Sequence, residues 1–169
     1  MRIIDSMSTA FLIGIDPGAA GAVAILEPSG KLVQVFDTPA VEVSVGGRAK
    51  RRVCAEMLAA ELRMYAPGAQ AVVEQVGAMP GQGVSSTFAF GQAFGLALGV
   101  LAGLGVATVT VTPAAWKRDL RLSAGKDAAR LRAAQLWPTQ AAEFKRVRDD
   151  GKAEAALLAH WLRGRARAC

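Results

Sequence analysis

Two short apolar runs each end in a carboxylate, and that pair of strand ends limits the possible folds more than any other feature of the chain. The first is Phe11-Leu12-Ile13-Gly14-Ile15-Asp16, followed at once by Pro17-Gly18. The second is Ala71-Val72-Val73-Glu74. Short apolar runs bounded by turn residues read as buried strands. A charge at the end of a buried strand is costly unless something pairs with it. Pro17 and Gly18 force a tight exit from the first run, so Asp16 is presented at the sheet edge rather than mid-strand. A turn-capping Asp would account for Asp16 alone. It would not account for Glu74, since Glu has poor strand propensity and no Lys or Arg lies near it in the sequence. One shared partner, a divalent cation, is the simplest answer to both charges.

A third acidic group opens the last predicted helix. Asp150 and Glu154 are four residues apart, hence on one helix face. Like charges at that spacing repel, and a bound cation would reverse the sign of the interaction. Asp149 is turned about 100° away. Capping and the helix dipole explain Asp149 and Asp150 equally well. Glu154 lies too deep for capping and is surrounded by Ala153, Ala155, Ala156, Leu157 and Leu158. Hard divalent cations take carboxylate oxygens, and two ions about 4 Å apart suit four carboxylates and phosphoryl transfer. The single histidine, His160, excludes a His-based zinc or nucleophile scheme. Two cysteines, Cys54 and Cys169, provide neither a disulfide framework nor zinc spacing, and a reducing cytoplasm is expected.

Around these acids the pattern predicts strands at 12–16, 22–26, 32–37, 71–76 and 106–111, with helices at 53–65, 86–104, 126–136 and 150–163. The first two strands should pair antiparallel across a short connector. Residues 38–52 are expected to be a loop, with Arg48, Lys50, Arg51 and Arg52 as a phosphate-contacting arm. The order implies an α/β domain spanning 1–169, with a mixed five-stranded sheet flanked by helices and a flexible extension at 1–10. The stretch 88–111 is long and uncharged enough to span a bilayer, but Gly103 and Gly105 divide it. It is expected to be a buried helix and a buried strand, with no membrane association. Gly91, Gly95, Gly99 and Gly103 recur every fourth residue, a flat stripe suited either to this chain's own sheet or to a second copy.

Charge points to the partner. The net charge is +6, and 13 of the 20 Lys and Arg lie at or after Thr112 against 6 of the 14 Asp and Glu. A neutral first part and a basic last third suggest a polyanion-binding surface.

Four segments together resemble the RuvC family of Holliday junction resolvases, and within it the short bacteriophage branch. They are Asp16-Pro17-Gly18, Val73-Glu74-Gln75-Val76, Phe90-Gly91-Gln92-Ala93-Phe94-Gly95 and Asp150-Gly151-Lys152-Ala153-Glu154-Ala155, and the likeness runs over 11–162. The resemblance implies an RNase H-like fold, a homodimer, and Mg²⁺- or Mn²⁺-dependent symmetric nicking of four-way or branched DNA in a bacterial or phage-infected cytoplasm. It implies a pair of metal ions and no organic cofactor. Asp16, Glu74 and Glu154 match the family's metal-binding acids. Asp150 matches the remaining one less cleanly: the bacterial acids are three residues apart, and here Gly151 holds the usual place, leaving Asp149 and Asp150 as rivals. Lys117 and Lys126 fall where the family carries basic residues near the scissile phosphate, with Arg118 and Arg121 as further phosphate contacts. Bacterial members follow Glu-Gln-Val with an aromatic that stacks at the crossover. This chain has Gly77, which leaves Met79 as the candidate wedge. Two other readings of the same fold are a catalytically silent junction-binding protein and a nucleotide phosphohydrolase.

Overall fold

The computed structural model describes residues 10–75, 77, 81, 83–125 and 127–166. Met79, Lys126, Cys169 and residues 1–9 of the expected extension lie outside them. Strands β1 (Leu12–Asp16) and β2 (Ala22–Leu26) form an antiparallel hairpin with Asp16 opposite Ala22. Strand β3 (Leu32–Asp37) continues the meander beside β2, with one register slip at Ile25/Leu26.

A separate two-stranded ribbon follows: β4 (Ala40–Val45) antiparallel to β5 (Arg48–Val53). The sequence reading expected a loop here. Gly46 and Gly47, at φ 59° and 74°, supply the left-handed pair that a tight hairpin turn demands. Both faces of the ribbon carry mostly exposed residues, so no apolar alternation of the usual depth announced it.

Helix α1 (Ala55–Leu62) leads to β6 (Gln70–Glu74), which lies parallel to β1 with Ile15 beside Val73. Helix α2 (Val84–Gly103) returns the chain to β7 (Ala107–Val111), parallel to β6 with Glu74 beside Val111. The five-stranded sheet therefore runs β3-β2-β1-β6-β7, antiparallel on one side of β1 and parallel on the other. Three helices follow: α3 (Pro113–Asp119), α4 (Ala128–Leu136) and α5 (Asp150–Ala166), with short 3₁₀ turns at Pro138–Phe144 and Val147–Asp149 between the last two. Short α3 was not anticipated. Its start is nonetheless written in the sequence: Thr112 caps it by accepting from the Ala115 N–H, and Pro113 occupies the first turn.

The two-residue alternation of strands decides where the acids point. Ile13, Ile15, Val23, Ile25, Ala71 and Val73 face α1 and α2. Leu12, Ala22, Ala24 and Val72 face α3, α4 and α5. Asp16 has the parity of Leu12, and Glu74 the parity of Val72, so both carboxylates belong to the α5 face. Helix α5 sits hard against β1. A Cβ on Gly14 would come 2.1 Å from the Ala155 carbonyl oxygen and 2.6 Å from the Ala159 nitrogen. Only glycine permits that approach, and it brings the first turns of α5 over the end of β1. Leu157 and Leu158, both fully buried, anchor the helix, each contributing about 1.5–3 kcal/mol of apolar burial.

The expectation that 88–111 would be buried needs correction. Helix α2 packs by Ala93, Ala97 and Leu101, while only 17% of its most apolar 18-residue window is covered. Strand β7 lies at the sheet's end, and most of its residues are not buried. Among the described residues α2 alone is long and apolar enough to cross a membrane by length and composition.

Candidate metal centre

Three carboxylates meet at the C-terminal ends of β1 and β6 under the start of α5. Asp16, Glu74 and Glu154 each offer an oxygen, and these atoms lie within 4.8 Å of one another. Burial, then the negative charges of Glu74 and Glu154, push the Asp16 carboxyl up to about 8, with Lys117 pulling the other way. Burial also pushes Glu74 up, opposed by a hydrogen bond from Trp116. Carboxylates crowded together in a buried site are a poor stability arrangement and a good cation arrangement. The donor set fits a hard divalent ion.

Helix α3 braces the cluster with two consecutive residues. The Trp116 indole Nε1 donates to Glu74 Oε1 at 2.7 Å, and Trp116 is wholly buried. Lys117 Nζ donates to Glu154 Oε1 at 2.5 Å and stands 5.1 Å from the centroid of the Trp116 ring. Glu74 is only 9% exposed, so losing the indole donor would leave a buried acceptor unmatched, at a cost of about 1–3 kcal/mol. Sequence reasoning missed Trp116. Its signal was the Thr112-Pro113 helix start, which turns α3 back over the β6 end.

The remaining acids go elsewhere. Asp150 Oδ1 lies 2.6 Å from Arg130 Nε in a close but poorly aligned ion pair. Arg130 also holds Asp127 and donates to the Lys145 carbonyl oxygen. Asp149 is 1% exposed and takes both the side chain and the backbone N–H of Arg146. The residue of this stretch that does face Asp16 is Gly151. A Cβ there would meet Asp16 Oδ2 at 3.0 Å and the Ala20 carbonyl oxygen at 3.1 Å. Among the described residues the centre thus holds three carboxylates and one lysine, without Asp149 or Asp150. His160 lies edge-on to Trp137, centroids 6.0 Å apart, and burial lowers its proton affinity.

The basic residues are spread over two surfaces. Arg51 and Arg52 of β5 line a cavity that begins at Asp16. Lys50 donates to Ser85 Oγ at 3.2 Å, and Arg52 to Gln92 Oε1, tying the ribbon to α2. Arg48 closes the ribbon opposite Val45 and is exposed. Arg118 pairs with Asp119 and lines a second cavity with Val109, Trp161 and Arg165. Arg121 is exposed and holds the left-handed φ of 53° just beyond α3.

A mixed sheet in the order β3-β2-β1-β6-β7 with helices on both faces is an RNase H-like α/β fold. Among solved structures, T. thermophilus RuvC in complex with a Holliday junction substrate matches with a TM-score of 0.57 and 16% identity, over 94% of this chain and 96% of that one. A second Thermus thermophilus RuvC structure matches at 16% identity with a TM-score of 0.47, over 91% of this chain and 96% of that one. No protein-family model matches the chain, and no curated protein matches it.

Proposed function

We propose that the chain is a Holliday junction resolvase of the RuvC type, a metal-dependent endonuclease that nicks four-way or branched DNA. The observation that carries this reading is the convergence of Asp16, Glu74 and Glu154, braced by Lys117, in a fold that matches RuvC bound to its junction. Asp16, Glu74 and Glu154 would hold Mg²⁺, or Mn²⁺ in its place, as one ion or a pair. A bound divalent ion supplies charge neutralisation at the phosphodiester and an activated water. The protein's own groups then have defined tasks. Trp116 fixes the rotamer of Glu74. Lys117, which pairs with Glu154 at the edge of the cluster, would orient the scissile phosphate and meet the charge that develops on it. Lys126 is the second basic residue of this reading and Met79 its crossover wedge, both outside the described residues.

Phosphate contacts away from the centre would come from Arg48, Lys50, Arg51 and Arg52 of the β4–β5 ribbon, and from Arg118 and Arg121. Such contacts bind without reading sequence and weaken steeply with salt. Two-fold nicking of a junction needs two centres, and α2 offers a surface for a second copy. Gly91, Gly95, Gly99 and Gly103 each face open space, since a Cβ there would meet no described residue within 4 Å. Val84 and Phe88 beside them are 87% and 67% exposed. Branched DNA of a bacterial or phage-infected cytoplasm is the substrate this reading implies, and the bacteriophage branch is the nearest family setting on the residues quoted above.

The test is a gel assay with synthetic four-way junctions and linear duplex at two salt concentrations, with Mg²⁺. Paired nicks in the junction, absent with EDTA and with Asp16→Asn, are expected. Absence of nicking by wild type, or full nicking by Asp16→Asn, overturns the proposal. Tight junction binding indifferent to EDTA would point to a silent binding protein, and ATP hydrolysis without DNA to a phosphohydrolase.

A further inference from the structure

Beside Asp16 opens a cavity of about 410 Å³, within the ~300–1,000 Å³ range of small-ligand sites. Its floor is the 17–21 turn that presents Asp16, one wall is α2 through Ala89, Phe90 and Ala93, and the other is β5. The lining is mainly apolar, and its polar and charged residues are few: Asp16, Ser86, Gln92, Arg51 and Arg52. A duplex is far too wide for it. One flat ring system is not.

We propose that this cavity holds the nucleobase of a nucleotide flanking the scissile phosphate, with Phe90 as its stacking platform and Gln92 as the residue that sets base preference at the cut site. The inference rests on the nuclease reading above and adds a specificity site to it. Three observations carry it. First, the cavity adjoins the metal centre at the end of β1, because Asp16 is among its lining residues and belongs to the three-carboxylate cluster. A strand whose phosphate sits at the carboxylates must place an adjacent sugar and base close by. Second, Phe90 lines the cavity and is 45% exposed, which leaves its ring accessible to a stacking partner. The ring is backed by the same turn: a Cβ on Gly18 would lie 3.8 Å from Phe90 Cε1. Base and metal centre are thus registered by one piece of backbone. Aromatic rings take bases of any sequence on their faces.

Third, the polar groups suit a base edge and its phosphate. Gln92 Oε1 already accepts from Arg52. Its Nε2, which has no hydrogen-bond partner among the described residues, is a donor for a carbonyl or ring-nitrogen acceptor on a base edge. Arg51 and Arg52 supply positive charge for the neighbouring phosphate. Phe90 and Gln92 come from the Phe90-Gly91-Gln92 segment singled out in the sequence, to which the metal chemistry assigns no task. Phe90 and Gln92 are therefore specificity-determining residues rather than catalytic ones.

The test uses four-way junctions carrying an abasic residue at each of the two nucleotides flanking the nick. Wild type should nick the intact junction roughly tenfold or more faster than one of the abasic junctions, the size that base–aromatic stacking supports. Phe90→Ala should slow the intact junction to the abasic rate, and Ala89→Leu, which fills the cavity instead of emptying it, should do the same. Gln92→Ala should keep the difference between intact and abasic junctions but flatten the ranking of the four bases. Equal nicking of intact and abasic junctions by wild type overturns the proposal, as does a Phe90→Ala effect that slows every junction alike. A binding arm separates this from the nuclease reading. With Ca²⁺ in place of Mg²⁺, 2-aminopurine at the flanking position should brighten on binding wild type and not Ala89→Leu. Brightening without nicking would sink only the nuclease reading; nicking without brightening would sink only the base pocket.

Discussion

Glu154 and Asp150 look alike in the sequence and differ in their partners. Both belong to the acidic start of α5, four residues apart, and helical spacing alone assigns them to one face. The folded chain separates them because α4 contributes Arg130, which lies 2.6 Å from Asp150, while α3 contributes Lys117, which lies 2.5 Å from Glu154 beside two other carboxylates. No local pattern announces which basic residue will arrive from another element. Asp16 and Glu74 were legible for the opposite reason: each ends an apolar strand run, a local property. We therefore expect unequal losses. On the proposed function, in which Glu154 holds the divalent ion, Glu154→Gln should lower junction nicking by about 100-fold or more. Asp150→Asn should stay within a few-fold of wild type, because what it loses is an ion pair 46% exposed on the acid's side. Single-turnover nicking rates at saturating Mg²⁺ check this. Equal losses would place Asp150 in the metal centre after all.

The start of α5 is preceded by a buried acid, Asp149, that lies outside the three-carboxylate cluster. Asp149 ends the 3₁₀ turn before the helix and accepts from the Arg146 side chain and backbone N–H. Those bonds hold its carboxyl below the usual carboxylate range, with burial pulling the other way. A carboxyl depressed by folding adds stability that is complete above its unfolded pKa, ~3.9 for Asp, and is lost as pH falls through its folded value. Asp149→Asn should accordingly melt below wild type at pH 7, and the gap should close as the pH is taken under ~4. Thermal melts across pH 2–7 read this directly; a gap that persists unchanged at the acid end would remove the Arg146 pairing as its cause. The β4–β5 ribbon illustrates the reverse case of legibility. Its Gly46-Gly47 pair is a strong hairpin signal, but Arg48, Lys50, Arg51 and Arg52 have the composition of a solvated loop, and a ribbon without a buried face gives periodicity nothing to report.

The molecule as a whole leaves its longest helix half-clothed, and the glycines on it allow two accounts to be told apart. If α2 simply faces solvent, Gly95 is a liability: glycine in a helix interior costs about 1 kcal/mol relative to alanine, and a Cβ there meets no described residue. Gly95→Ala should then raise the melting temperature at every protein concentration. If a second copy packs on the stripe, the missing Cβ atoms let two backbones approach, as small residues do where helices cross closely. Gly95→Ala should then weaken the association and lower the melting temperature most at high concentration, where the dimer is populated. Gly95→Leu should go further and yield monomers by light scattering, while the sheet and the three-carboxylate centre keep their structure, since α2 is held to the core through Ala93, Ala97 and Leu101. Monomers should still nick branched DNA, but one strand at a time: the two incisions of a junction would lose their coupling, and singly nicked junctions would accumulate in a supercoiled cruciform assay. We expect the dimer outcome, because Val84 and Phe88 add large apolar surface at the same end of the helix. A Gly95→Leu protein that remains dimeric, or one whose two nicks stay concerted, would show that the second copy meets the first somewhere other than α2.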